Sequence, residues 1–181
     1  MPDNAKITIS AVSADVGGFV GHISSHPDIL DTAKERLYNA KEKGLISDFH
    51  VLRCGDDIDF ILIHGKGALS PQIDKLAKAA LDACVETAAE LKLCGRERFS
   101  YGAGKGPAVA EIEFSERTSE PVIVFMSNKA SAGAWNLPLY RIFADPFNTT
   151  GLISDSNMIN GFSFRVYGVE ENKEITLSAP N

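Results

Sequence analysis

The stretch SDFHVLRCGDDIDFILIHG, residues 47–65, contains two apolar runs separated by a short polar break. Both runs are rich in β-branched and aromatic side chains, which is typical of strands. The Gly55-Asp56-Asp57 break has the length and composition of a tight turn. The sequence therefore predicts two strands joined by a turn, with two adjacent aspartates at the edge of a sheet.

The adjacent aspartates Asp56 and Asp57 allow two interpretations. Two carboxylates at one corner repel each other unless a cation lies between them. Aspartate and glycine are also ordinary turn residues, so a solvated turn explains the pair equally well. The turn alone leaves both interpretations open.

Two amphipathic helices flank this hairpin in the sequence. The first is predicted from Pro27 to a capping glycine at Gly44, with apolar residues at helical spacing. The second begins at Ser70 and Pro71, which form a good N-cap and first-turn pair, and its apolar face runs to Leu91. Both helices should cover a sheet with these faces.

The remaining pattern is mainly β. Strands are predicted in KITISAVSA (6–14), GPAVAEIEFSE (106–116), PVIVFMSN (121–128), GFSFRVYGV (161–169) and KEITLSA (173–179). The glycine-rich segment 15–28 and the proline-interrupted segment 136–153 are predicted as loops. Seven strands and two helices predict an α+β sandwich, and 181 residues with 44% hydrophobic content predict a single domain over residues 1–181.

Composition argues against several classes of partner. Eighteen basic and twenty-four acidic residues give a net charge of -6 without any basic run, so a nucleic-acid surface is not expected. No apolar stretch approaches the roughly 20 residues of a spanning helix, and the N-terminus lacks a signal-peptide pattern. We therefore expect a cytoplasmic protein without membrane contact, whose three cysteines (Cys54, Cys84 and Cys94) are reduced thiols.

Further polar residues lie where predicted strands end. Asp15 ends the first strand, His22 follows in the glycine-rich loop, and Asn128 and Lys129 end the strand VIVFM. Clustered carboxylates with one imidazole suit Mg²⁺, with Mn²⁺ as the alternative. Taken singly, His22 is better explained as a hydrogen-bonded loop histidine than as a ligand, and Lys129 is better explained as a solvated turn residue than as a phosphate contact.

Three other motifs receive structural interpretations. Glu111 and Glu113 are separated by one residue in a predicted strand and should share a solvent-facing side. GAGKGP (102–107) precedes a strand and lacks the Gly-Lys-Ser/Thr order, so it is predicted as a turn and not as a P-loop. His26 stands before a helix start, where local capping explains it as well as function does.

Five segments occur in the order found in one enzyme family: ISAVSADVGGFVGHISSHPD, CGDDIDFILIHG, SEPVIVFMSNK, NLPLYRIFADPFNTTGLI and LSAP. The chain resembles the bifunctional fructose-1,6-bisphosphate aldolase/phosphatases of archaea and deep-branching bacteria over about the first half of their usual length. The resemblance implies a layered α-β-β-α sandwich with mixed or antiparallel sheets and a large homo-oligomer. It also implies several Mg²⁺ ions between strand-end carboxylates and the substrate phosphate.

The resemblance assigns roles to individual residues. It implies metal ligation by a set of strand-end and loop residues: Asp15, His22, Asp56, Asp57 and Asn128. Within that set it implies a catalytic function for Asp56 and Asp57. Substrate binding is implied for His22 together with Lys129. On this interpretation the paired aspartates face Mg²⁺ ions, which cancel their repulsion.

The chain departs from the family pattern at several places. Asn128 stands where the family has an aspartate, and Arg96 is the nearest counterpart of a glutamine ligand, although a permanent cation cannot bind Mg²⁺. The family's Schiff-base lysine and its partner tyrosine belong to the half that is not matched. Aldolase activity through a lysine imine is therefore not expected.

Three hypotheses follow. The first is a gluconeogenic, Mg²⁺-dependent phosphatase acting on a phosphorylated sugar such as fructose-1,6-bisphosphate. The second is a binding or regulatory relative without catalysis. The third is one half of a split enzyme that works with a separate chain.

Overall fold

The computed structural model describes residues 6–20, 23–93, 107–115, 124, 126, 162–168 and 173–179. In the last two ranges it describes the backbone and, of the side chains, only the exposed Thr176. The chain divides into two units, Met1–Glu116 and Arg117–Asn181. The single-domain organisation stays a prediction.

The first unit is built on a four-stranded antiparallel sheet. Its elements in chain order are β1 (Lys6–Asp15), β2 (Gly18–Phe19), β3 (Ser24–Ser25), α1 (Pro27–Glu42), β4 (Asp48–Cys54), β5 (Asp57–His64), α2 (Pro71–Glu90) and β6 (Ala108–Ser115). The strand order in the sheet is β4-β5-β1-β6, and β2 pairs with β3 in a separate small hairpin. In the second unit, β7 (Phe162–Gly168) and β8 (Lys173–Ala179) pair antiparallel.

The β4–β5 hairpin closes through a two-residue turn. Cys54 pairs with Asp57, which leaves Gly55 and Asp56 as the turn residues. Gly55 has a φ of 68°, and the tight turns that connect antiparallel strands need this conformation at their first position. The predicted hairpin is confirmed, and its turn fixes the position of both aspartates.

The helices begin and end as their sequences indicate. His26 is the N-cap of α1, and its Nδ1 accepts a hydrogen bond from the Asp28 backbone N–H at 3.2 Å. Gly44 follows the helix with a φ of 68°. Ser70 is the N-cap residue of α2, but its side chain makes no capping hydrogen bond. Capping therefore explains His26 without a functional role.

One face of the sheet, called here the helix face, packs against α1 and α2. Alternate residues of β1 and β5 supply its apolar part, because successive side chains in a strand point to opposite faces. The buried core contains Val12, Ala14, Ile58, Phe60 and Leu62 from the strands, with Ile29, Ala33, Leu37, Ile73, Ala77 and Leu81 from the helices. Each large apolar side chain buried there contributes about 1.5–3 kcal/mol.

The opposite side of the sheet, called here the second face, carries the other alternate residues. Its register pairs between β1 and β5 are Asp15 with Asp57, Ser13 with Asp59, Ala11 with Ile61 and Ile9 with Ile63. Ile9 and Ile61 are buried. The second face is therefore apolar along most of its length and acidic at one end.

The α+β class and the two amphipathic helices are confirmed. The prediction of a loop over residues 15–28 needs a correction, since that segment contains the short β2–β3 hairpin. The strand predicted at 121–128 and the loop at 136–153 lie outside the residues that can be assessed as elements.

Cys84 is buried and Cys54 is half-buried, and neither forms a disulfide, in agreement with the reduced cysteines expected. Burial raises the pKa of the Cys84 thiol to about 12. Cys94 lies outside the described residues. Within the described part of the chain, no helix is long and apolar enough to span a membrane.

Candidate metal and phosphate site

Asp15 and Asp57 lie opposite each other across two neighbouring strands. Asp15 is the last residue of β1, Asp57 is the first of β5, and the two are register partners. Directly opposed residues have Cβ atoms about 4.5–5.5 Å apart, and like charges in this position are destabilising. A cation at this end of the sheet would relieve the repulsion.

The turn that carries Asp56 is held by the small hairpin. The Ser25 hydroxyl donates to the carbonyl oxygens of Asp56 at 2.8 Å and Asp57 at 3.1 Å. Arg53 Nη1 donates to Ser24 Oγ at 3.0 Å. Asp56 itself is buried, with 3% of its surface exposed. Both aspartates of the turn are therefore fixed by hydrogen bonds that the glycine-rich segment supplies.

The Asp15 carboxylate is oriented by the same segment. Its Oδ1 accepts a hydrogen bond from the Gly17 backbone N–H at 3.1 Å. Gly17 has a φ of 121°, which only glycine adopts readily. Val20, further along the hairpin, has a φ of 52°, a strained value for a β-branched residue. Such strain often accompanies sites where backbone geometry serves binding.

Asp59 is a candidate residue that the sequence analysis missed. It lies on the second face two residues from Asp57, is 1% exposed, and neither carboxylate oxygen has a hydrogen-bond partner. Burial raises the pKa of this carboxyl. The hydroxyl of Ser13, on the neighbouring strand, acts to lower the pKa of Asp59. It does not, however, form a hydrogen bond of accepted geometry with either carboxylate oxygen. The sequence signal is an aspartate inside the apolar run DIDFILI.

The donor chemistry fits a hard divalent cation. Mg²⁺ is usually held by one or two carboxylates together with water and substrate phosphate oxygens. Asp15 and Asp57 supply two carboxylates at one sheet end. No group of three His, Cys, Asp or Glu side chains in the described ranges is arranged to hold an ion by itself. A phosphorylated ligand would complete the coordination.

The structure brings together only some of the residues predicted for the site. Asp15, Asp56 and Asp57 lie at the same end of the sheet. His22, Asn128, Lys129 and Arg96 lie outside the described residues, so their roles stay predictions.

A second polar cluster occupies the other end of the same strands, on the helix face. The Lys66 backbone N–H donates to His64 Nδ1 at 3.2 Å, which assigns the ring proton to Nε2. Nε2–H then donates to Ser10 Oγ at 2.9 Å, and the Ser10 hydroxyl donates to Glu111 Oε1. Glu111 Oε2 accepts from the Leu69 backbone N–H at 2.6 Å. We call these side chains the paired cluster.

The paired cluster is structural. Ser10 and His64 are each 1% exposed, and His64 donates to the serine hydroxyl, so it cannot act there as a general base. Burial lowers the pKa of His64, with Lys66 acting in the same direction and Glu111 against it. The neutral imidazole links β1 and β5 to the loop before α2.

Glu111 and Glu113 share one side of the strand as predicted, but that side faces solvent only in part. β6 lies beside β1, and its register places Glu113 opposite Thr8 and Glu111 opposite Ser10, on the helix face. Glu111 is half-buried, and Glu113 forms an ion pair with Lys6 at 2.9 Å. Residue spacing located the two glutamates on one face but could not say which face it was.

Fold and site together define an α+β protein with an antiparallel sheet whose one face is covered by helices. The second face of that sheet carries two opposed carboxylates at one end. The profile of the family described as fructose-1,6-bisphosphatase matches residues 6–181. The chain belongs to this family, which confirms the resemblance.

The similar proteins are fructose-1,6-bisphosphate aldolase/phosphatases. The chain is 48% identical over 182 residues to that of Moorella thermoacetica, covering 97% of this chain and 47% of the relative. Identity to the Thermococcus onnurineus protein is 45%, covering 97% and 48% of the two chains. Identity to the Methanothermobacter marburgensis protein is 42%, covering 97% and 50%. The chain thus spans about half the length of these relatives.

Proposed function

We propose that this chain is a Mg²⁺-dependent sugar-phosphate phosphatase that hydrolyses fructose-1,6-bisphosphate. The observation that supports the proposal most is the opposed pair Asp15 and Asp57 at a sheet end, in a family described as fructose-1,6-bisphosphatase. The similar proteins carry fructose-1,6-bisphosphate in their names, which supports a phosphorylated sugar as the substrate.

In this proposal, Asp15 and Asp57 hold Mg²⁺, or alternatively Mn²⁺, with further ligands from Asp56, His22 and Asn128. A divalent cation bound there neutralises phosphate charge and lowers the pKa of a water molecule. The protein's own contribution is positioning. Gly17 fixes the Asp15 carboxylate and Ser25 fixes the Asp56–Asp57 turn, so the carboxylates need little rearrangement when substrate binds.

Two further residues orient the substrate in this proposal. His22 follows the Gly17–Gly18 backbone, which leaves space for a ligand to approach closely. Lys129 supplies a cation that would pair with phosphate oxygens. The same proposal includes a gluconeogenic role, a cytoplasmic location and a homo-oligomeric assembly.

A split enzyme is the second candidate. It is favoured by the observation that the chain spans 47% of the Moorella thermoacetica relative and 48% of the Thermococcus onnurineus relative. A separate chain would then supply the groups of the unmatched half. A third candidate, a binding module without catalysis, predicts affinity for the sugar phosphate without turnover.

The test is phosphate release from fructose-1,6-bisphosphate in millimolar Mg²⁺. We expect release that EDTA abolishes and that Asp57→Asn lowers by about 100-fold or more, the usual loss when a preorganised charged contact is removed. Asp31→Ala is the matched control, because Asp31 is an exposed carboxylate on α1 that forms a surface ion pair with Lys34 at 3.1 Å. Its activity should equal that of the wild type.

Absence of release would reject the self-sufficient phosphatase. The chain would then be mixed with a separately produced second half of the Moorella thermoacetica relative. Activity that appears only in the mixture would indicate a split enzyme. Calorimetric binding of fructose-1,6-bisphosphate without turnover in either case would indicate a binding module.

A further inference from the structure

Asp59 is a buried carboxylate for which the described residues supply neither a hydrogen bond nor an ion pair. It is 1% exposed, and both Oδ1 and Oδ2 lack a hydrogen-bond partner. An ionised carboxylate placed in this way costs several kcal/mol unless an opposite charge is close. A neutral carboxyl would still leave a donor and an acceptor unpaired. The position therefore calls for a group that both oxygens can bind.

The surroundings of Asp59 offer oxygen donors on one face. Asp57 lies two residues away on the same strand and the same face, at a Cα separation of about 6.6 Å. Ser13 is the register partner of Asp59, as Asp15 is of Asp57. These four residues form a two-by-two patch of oxygen donors at the end of the second face.

Apolar residues occupy the neighbouring positions of this patch in the sheet. Leu52 is the register partner of Asp59 on β4, and Ile61 follows on the same face of β5. No lysine or arginine is a register partner of any member of the patch on β1, β4 or β5. An ion is therefore a better match to Asp59 than an amino group from its neighbours in the sheet.

We propose that Asp57, Asp59 and the Ser13 hydroxyl form a second divalent-cation subsite, one register step further into the sheet than the Asp15–Asp57 pair. The subsite rests on the proposed function in one respect, because Asp57 belongs to both. Carboxylate and hydroxyl oxygens at this spacing suit Mg²⁺ or Mn²⁺ completed by water. Ser13 and Asp57 are half-buried, so an ion can enter from their side while Asp59 binds it from below.

A second ion would explain why Asp59 is a carboxylate, whereas a single ion at the sheet end would not. With Asp57 shared, two cations would stand close together on one face, and each would offset part of the charge of Asp15, Asp57 and Asp59. Paired divalent ions are a common arrangement in phosphoryl-transfer sites. The inference concerns only binding by Asp59 and does not assign that ion a step in hydrolysis.

The test counts Mn²⁺ ions bound to the full chain by electron paramagnetic resonance of free Mn²⁺. We expect Asp59→Asn to lose one bound equivalent relative to the wild type, and Asp57→Asn to lose more. Asp48→Asn is the matched control, since Asp48 belongs to the same sheet and forms an ion pair with Lys41 at 2.8 Å. It should bind the wild-type number of ions.

A second variant covers the case in which Asp59→Asn does not fold. Ser13→Ala removes only the hydroxyl ligand, and we expect it to weaken Mn²⁺ binding by about tenfold, a difference of about 1.4 kcal/mol. Melting in metal-free buffer separates folding from binding. There, Asp59→Asn should melt no lower than the wild type, because the amide removes a buried charge.

The outcomes distinguish this inference from the proposed function. If Asp59→Asn binds as many ions as the wild type, or if Ser13→Ala binds with unchanged affinity, the subsite is rejected and the phosphatase proposal stands. If the wild type binds no Mn²⁺, both are rejected. A rise in stability of Asp59→Asn without any change in ion number would mean that Asp59 is a destabilising buried carboxylate and not a ligand, which also overturns the subsite.

Discussion

Polar side chains are arranged differently at the two ends of the β1–β5 strand pair. At one end, Ser10, His64 and Glu111 bind each other on the helix face. At the other end, Asp15 faces Asp57 on the second face, and Asp59 is buried beside them without a hydrogen bond. The same two strands thus end in a polar network at one end and in concentrated negative charge at the other.

This difference teaches how to separate structural from functional polar groups. The paired cluster also fixes the backbone of the loop before α2, because Glu111 accepts a hydrogen bond from the N–H of Leu69. Leu69 has a strained φ of 57°. The hydrogen bonds of the paired cluster are explained by the fold. At the opposite end, only the buried Asp59 lacks a hydrogen-bond partner among these three described aspartates, so the fold does not explain its position.

The middle of the β1–β5 strand pair should be where stability is concentrated. Phe60 is fully buried on the helix face, whereas Leu52 on the second face is 46% exposed. We expect Phe60→Ala to lower the free energy of unfolding by about 3–5 kcal/mol. Leu52→Ala should lower it by less than about 1 kcal/mol. Urea denaturation followed by circular dichroism measures both, and equal losses would contradict the assignment of the core.

At the paired cluster, removal of one member should leave its partners unsatisfied. Ser10→Ala deprives His64 Nε2–H of its acceptor and Glu111 of a donor, so we expect a loss of about 1–3 kcal/mol. Ser13→Ala, a serine of the same strand at the acidic end, should cost about 0.5 kcal/mol or less in metal-free buffer. A Ser10→Ala protein as stable as Ser13→Ala would show that the cluster does not hold the strand pair.

The paired cluster should also make stability depend on pH. His64 has a lowered pKa in the folded protein, so between that pKa and the ordinary value near 6.5 the unfolded chain binds more protons. Its contribution is therefore complete above about pH 6.5 and is lost as the pH falls through the folded-state pKa. Urea midpoints from pH 8 to 5 would show this, and His64→Gln should have a shallower decline over the same range. An unchanged decline in the variant would exclude His64 as its source.

The smallest effect on stability is expected at Thr8, which lies near the paired cluster but does not share its hydrogen bonds. Its Oγ1 is buried without a hydrogen-bond partner although His64 and Glu113 are its register partners. Thr8→Val removes the unpaired hydroxyl, and we expect stability to be unchanged or raised by up to about 1 kcal/mol. A clear loss on thermal melting would instead indicate an ordered water that links Thr8 to the cluster.

Local features of the fold could be predicted from the sequence because local chemistry determines them. The Gly55-Asp56 turn, the start of α1 at Pro27 and the end after Gly44 each depend on residues within a few positions. The positions of Asp15 and Asp57 at strand ends followed from the same patterns. Their direct opposition did not, because the pairing of β1 with β5 joins residues far apart in the chain.

The same limit explains the two errors at polar residues. Glu111 was assigned to solvent because spacing alone does not reveal that β6 lies beside Ser10 of β1. Asp59 was passed over although it interrupts the apolar run DIDFILI, because its lack of a hydrogen-bond partner is a property of the packed sheet. Periodicity in the sequence shows which residues share a face of a strand. Only the strand register shows which residues of the neighbouring strands they contact.

Paramagnetic broadening by Mn²⁺ in ¹H–¹⁵N spectra of the full chain tests the contrast between the two ends most directly. Asp57 and His64 are seven residues apart on β5, about 23 Å in an extended strand. We expect substoichiometric Mn²⁺ to broaden the amide signals of Asp15, Asp57 and Asp59 first and to leave those of His64 and Glu111 sharp. Broadening that begins at His64 and Glu111, or that affects both ends equally, would contradict a cation site at the acidic end of the sheet.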